Sequence, residues 1–127
     1  MTTQYDYDNS YEPAAPVVLI GLSSSGETTA RQEVAGLLDS GADATMIPVD
    51  VLTAAGARYV EQRQMRGVVG EAVAVNLYLA AVHIGEHIVR GIRAIGMPIG
   101  SEAIVGRDVL NQLEITLKGP AQETWIS

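Results

Sequence analysis

The chain has 127 residues, of which 47% are apolar, with no Cys, no Phe and a formal net charge of −7. Such a length makes one domain with an aliphatic core. The acidic balance argues against a protein that grips a nucleic-acid backbone, which needs a basic face. Without Cys there are no disulfides, zinc–thiolate sites or thiol catalysis. No apolar run approaches the ~20 residues that span a bilayer, and the first residues lack the basic and apolar regions of a signal peptide. A cytoplasmic protein that binds neither nucleic acid nor membrane is expected.

Residues 1–16 are polar and acidic, with Tyr5, Tyr7 and Tyr11 among Asp6, Asp8, Glu12, Pro13 and Pro16. They read as a flexible tail ahead of a domain over 17–127. Val17 to Ile20 is a short buried strand that ends in the turn Gly21 to Gly26. The next stretch has two readings. Thr28 to Leu38 can return as the second strand of a hairpin. Alternatively, Val34, Leu37 and Leu38 sit at helical spacing, so that Thr29 to Leu38 is a helix capped by Gly41 and followed by a strand over Ala44 to Val49, a βαβ unit. Local pattern does not separate them.

Beyond this point, Pro48 suits the first position of a short helix that ends at Gly56. Arg58 to Arg66 is charged and leads into the hairpin tip Gly67-Val68-Val69-Gly70. Ala72 to His83 and Glu86 to Ile95 form a long hairpin about Gly85. Ala103 to Gly106 is a strand entering a turn, Asp108 to Gln112 a helical turn, and Glu114 to Lys118 and Gln122 to Ile126 are strands. Short connections between many strands favour an all-β fold.

Three motifs suggest chemistry. Gly21 to Thr28 matches a P-loop except at its lysine, where Glu27 would repel phosphate; a serine-rich turn is the better reading. His83 and His87 lie four apart, but Ile84 stands where a zincin has Glu and Gly85 weakens a helix, so no metal site is expected. No metal or other cofactor is implied. The strongest candidate is Asp39-Ser40-Gly41, a carboxylate delivered by Leu37 and Leu38. Burying it would be costly unless it gained partners or a proton. Alone, the tripeptide is common in turns. Its weight comes from a second element downstream, Ile104-Val105-Gly106-Arg107-Asp108-Val109-Leu110.

Together, Leu37 to Asp43 and Ile104 to Leu110 resemble the retropepsin family of aspartic proteases, in particular its small single-domain bacterial members. The likeness runs over about residues 17–118 with the elements in order, and it favours the strand reading of Arg31 to Leu38. It implies an all-β acid-protease barrel with one or two short helices, working as a homodimer. Asp39 matches the catalytic aspartate, and a single copy per chain implies completion by a second chain across a two-fold axis. Ser40 matches the hydroxyl residue that braces the paired loops, and Gly41 the glycine that allows close approach. Ala42 and Asp43 match residues beside the substrate backbone. Arg107 matches an arginine that pairs with Asp43 in a buried fork, while Val105 and Gly106 match the element packed behind the loop. Met65 to Val73 corresponds to the flap, with Val68, Val69 and Gly70 facing substrate. The expected activity is an aspartic endopeptidase acting on peptides or unfolded protein segments. The same fold also serves as a catalytically weak dimerisation or binding module, which is the alternative.

Overall fold

The structure, a computed structural model, describes residues 1–66 and 69–127. In chain order it comprises strands β1 (Thr3–Asp6), β2 (Val17–Ser23), β3 (Gln32–Leu38) and β4 (Met46–Pro48), helix α1 (Val49–Ala54), strands β5 (Arg58–Arg66), β6 (Ala72–Ile84), β7 (His87–Met97) and β8 (Ala103–Val105), helix α2 (Arg107–Leu110), and strands β9 (Ile115–Lys118) and β10 (Glu123–Ile126). The fold is mostly β, with few and short helices.

Strands β2, β3, β8, β4, β7 and β6 are hydrogen-bonded neighbours in that order, and a further β2–β6 pairing closes them into a ring. This is a six-stranded barrel, with β5 added outside β6. Closure follows from β2, whose last residues face two partners: Gly21 and Leu22 pair with Glu33 and Gln32 on one side and with His83 and Val82 on the other. The interior is aliphatic, as the lack of Phe requires. Ile20, Leu22, Ile47, Val82, Ile84 and Val105 are fully buried, a set of β-branched and branched residues that fills the space between pleated strands.

The stretch from Gln32 to Leu38 is a strand, paired antiparallel with β2 (Val18↔Gly36, Ile20↔Val34) and parallel with β8 (Leu37↔Ile104, Leu38↔Val105). The helical reading fails because backbone partners meet this stretch along both edges; Val34 and Leu38 then share one face of the strand and Leu37 takes the other. Pro48 ends β4 and caps α1 instead of occupying its first turn, and Gly56 closes the helix at φ +82°. His83 and His87 flank the β6–β7 turn, in register with Ile88 and Ile84 respectively. The His83 ring lies 2.8 Å from Ser23 Oγ, and burial, reinforced by Arg90, lowers its pKa.

The N-terminal segment departs from expectation. It is not a free tail: β1 pairs antiparallel with β10, which pairs with β9, making a separate three-stranded sheet. Polar composition concealed a strand whose alternate residues, Thr3 and Tyr5, turn inward against the barrel. An ideal Cβ on Gly85 would stand 2.8 Å from Thr3 Oγ1, so the glycine permits this approach. Burial raises the Tyr5 pKa.

Candidate active site

The loop from Asp39 to Thr45 leaves the barrel where β3 and β8 run in parallel. Its start is fixed by Asp39 N–H, which donates to the Val105 carbonyl at 3.0 Å. The chain then turns tightly. Ala42 N–H donates to the Asp39 carbonyl at 3.1 Å, and Gly41 N–H donates to Asp39 Oδ1 at 2.8 Å. The carboxylate is half-buried, held in orientation by one backbone donor. A Cβ on Gly41 would sit 3.1 Å from that same oxygen, so glycine at this position leaves the carboxylate its room. Ser40 is exposed beside it.

From behind, the loop is locked by β8 and α2. A Cβ on Gly106 would lie 2.6 Å from the Ala44 carbonyl carbon and 3.0 Å from the Ala42 oxygen. Backbone meets backbone there, and only glycine fits. Arg107 N–H donates to the Ala42 carbonyl at 2.9 Å, and its Nη1 donates to the Ser40 carbonyl at 2.6 Å. Arg107 Nη2 also pairs with Asp43 Oδ1.

That last contact differs from expectation in one respect. Asp43 and Arg107 do pair, but not in a buried fork: their side chains are 78% and 42% exposed in the single chain. An exposed pair contributes little to stability. The arginine's firmer hold on the loop is its bond to the Ser40 carbonyl.

Two residues to which the sequence assigned no role complete the support. Thr45 is fully buried; its Oγ1 donates to Asp108 Oδ1 at 2.7 Å and accepts Gly106 N–H at 3.1 Å. Asp108 also accepts Thr45 N–H at 3.1 Å and Val109 N–H at 2.9 Å. This carboxylate therefore ties the end of the Asp39 loop to the first turn of α2 across 63 positions of sequence.

The remaining expected site residues are placed as follows. Ala42 is buried, 8% exposed, with both backbone polar groups taken by Asp39 and Arg107. Val69 is 86% exposed at the end of the β5–β6 hairpin, and Gly70 beside it has φ +88°. Val68 lies outside the described residues. A concavity of about 320 Å³ lies at the hairpin end, lined by Gln64, Met65, Arg66, Gly70 and Ala72, and two others lie nearer the strands. One, of about 430 Å³, sits under the β6 arm of the hairpin, against Met97 and Pro98, and Asp39 does not line it. The other, of about 340 Å³, is lined by Leu38, Ser40, Leu110, Leu113, Ile115 and Leu117. It borders the Asp39 loop directly, and among the described residues no charged side chain lines it.

A closed barrel with an Asp-Ser-Gly loop braced by a downstream Gly-Arg-Asp turn defines the class of retropepsin-like aspartic proteases. The chain belongs to the family described as gag-polyprotein putative aspartyl protease, whose model matches residues 28–112. Among solved structures, a retropepsin-like aspartic protease from Rickettsia conorii is similar in fold, with a TM-score of 0.61 and 10% identity over 99% of this chain and 90% of that one. The EIAV protease, in complex with the inhibitor HBY-793, matches at a TM-score of 0.54 and 18% identity, over 77% of this chain and 86% of that one. No curated protein sequence matches the chain.

Proposed function

We propose that this protein is an aspartic endopeptidase that hydrolyses peptide bonds in peptides or unfolded protein segments, with its site completed by Asp39 of a second copy. The observation that carries this reading is the state of Asp39: a half-buried carboxylate, aimed by Gly41 N–H, on a loop locked from behind at Gly106 and Arg107. Rigid support under one acidic side chain is what a catalytic group requires.

Two such carboxylates set face to face across a two-fold axis cannot both ionise cheaply, so they share a proton. The ionised member takes a proton from a trapped water, whose oxygen bonds to the peptide carbonyl carbon. The protonated member gives its proton to the carbonyl oxygen. In the tetrahedral intermediate the carbon–nitrogen bond then breaks as the nitrogen accepts a proton, leaving acid and amine. The β5–β6 hairpin serves as the cover that excludes bulk water. A second chain finds room at the uncharged groove beside Ser40. With −7 on each chain, two copies meet most easily where neither presents charge.

Digestion of a peptide library is the test. Asp39→Asn keeps shape and removes the base, so turnover should fall by at least about 10²–10⁴-fold while the dimer persists in sedimentation. Wild-type turnover retained by Asp39→Asn would reject the mechanism.

A further inference from the structure

The segment between β1 and β2 crosses the barrel beside the strands that carry the Asp39 loop. Its two ends are tied together, since Asp8 N–H donates to the Ala15 carbonyl at 2.8 Å and Ala15 N–H to the Asp8 carbonyl at 3.1 Å. Inside this closed loop, Ser10 N–H and Oγ both donate to Asp8 Oδ1, at 2.9 and 2.7 Å. The loop then makes two contacts with the barrel. The Pro16 carbonyl accepts Leu38 N–H at 3.0 Å, which extends the β2–β3 ladder by one rung to the residue immediately before Asp39. The Tyr11 hydroxyl donates to the Glu102 carboxylate, at the residue immediately before β8.

These anchors fall on the two parallel strands, β3 and β8, on which the Asp39 loop rests. From Glu102 the path to the site is short. Ala103 pairs with Gly36 and Val105 with Leu38, the Val105 carbonyl takes Asp39 N–H, and Gly106 lies under Ala44. The connection before Glu102 is a tight turn, closed by Ser101 N–H to the Pro98 carbonyl at 3.1 Å and carrying Ile99 at 74% exposure. The start of β8 thus follows a turn with little cover of its own, and Tyr11 supplies a tether from outside the barrel.

We propose that residues 8–16 form a strap that holds β3 and β8 in register beneath Asp39, with Tyr11 as a positioning residue acting through Glu102. The catalytic consequence rests on the peptidase reading above; the mechanical one does not. Truncating the segment would also remove β1 and so confuse the result. The test is therefore made in the full chain with Tyr11→Phe and Glu102→Ala, and with Glu102→Gln, whose amide oxygen still accepts the tyrosine hydroxyl.

Amide hydrogen exchange is read over residues 36–42 and 103–107, together with steady-state kinetics on a peptide that the wild type cleaves. Tyr11→Phe and Glu102→Ala should speed exchange in both segments by about threefold to tenfold, the factor one net hydrogen bond is worth, with the β6–β7 hairpin unchanged. Glu102→Gln should stay near wild type. In the same variants kcat should fall by a similar factor while KM holds, because the aspartates are displaced and the binding surface is not. Unchanged exchange at 36–42, or an equal rise across β6–β7, would overturn the strap. If the wild type cleaves nothing but the local exchange rise is found, the strap stands and the peptidase reading falls.

Discussion

At Thr45 and Asp108 a single hydroxyl and a single carboxylate link a loop to a helix. Thr45 Oγ1 both accepts Gly106 N–H and donates to Asp108, in a place without access to water. Thr45→Val keeps the volume and deletes the hydroxyl, so a buried amide and a carboxylate oxygen each lose a partner. The expected loss is about 1–3 kcal/mol, read as a lower midpoint in urea unfolding, whereas Thr45→Ser should recover most of it. At the surface, Tyr11 offers a different measurement. Its hydrogen bond to Glu102, helped by the charges of Glu102 and Asp8, pushes its pKa up to about 12 from 10.0. Neutral tyrosine donates this bond. The bond's contribution is therefore complete below pH ~10 and lost as pH rises towards 12. In an absorbance titration of the tyrosines, Tyr11→Phe should remove ionisation from the late end of the curve, near pH 12; removal of an ordinary step near pH ~10 instead would show that the bond does not persist in solution.

Among the elements, the parallel pair β3 and β8 is where the sequence was hardest to read. Gln32 to Leu38 fits both a helix and a strand because seven residues span two helical turns as readily as they span one short strand. Pairing on both edges decides for strand, and no local pattern carries that information. Asp39-Ser40-Gly41 and Gly106-Arg107 were legible because loop glycine and charge stand out against apolar flanks. The link between Thr45 and Asp108 was not. A threonine in a mixed stretch and an aspartate opening a helical turn are ordinary by themselves, and their meeting across the fold leaves no trace in spacing. The N-terminal segment misled for the opposite reason. Its composition resembles disorder, yet β10 provides an edge and a ladder for Thr3–Asp6. Once an edge strand is available, backbone pairing outweighs polar side chains that can remain in solvent.

For the whole molecule, the terminal sheet is wider than the core it covers. Tyr5, Thr124 and Leu117 are aligned across β1, β10 and β9, so they share a face. That face is buried at Thr124 but leaves Leu117 55% exposed at the β9 side, over the groove beside Ser40. If a second copy seats there, Leu117→Glu places two carboxylates in an apolar contact and should weaken the dimer at least about tenfold. Thr116→Glu, on the opposite face of the same strand, should leave it intact. Sedimentation equilibrium of the two variants distinguishes a specific interface from charge repulsion, and equal effects would reject the groove as the contact.

The sequence by itself determined the aliphatic core, the all-β character and the two motifs that carry the site, because these depend on residue type and short-range order. It also determined that the Asp-Ser-Gly motif occurs once in the chain. Tertiary structure alone decided that β2 bonds to both β3 and β6 to close the barrel, that Asp43 and Arg107 pair in solvent, and that Thr3–Asp6 is a strand paired with β10. Those outcomes depend on which backbone edges and side chains meet across tens of residues, and contacts of that kind are made only when the chain closes on itself.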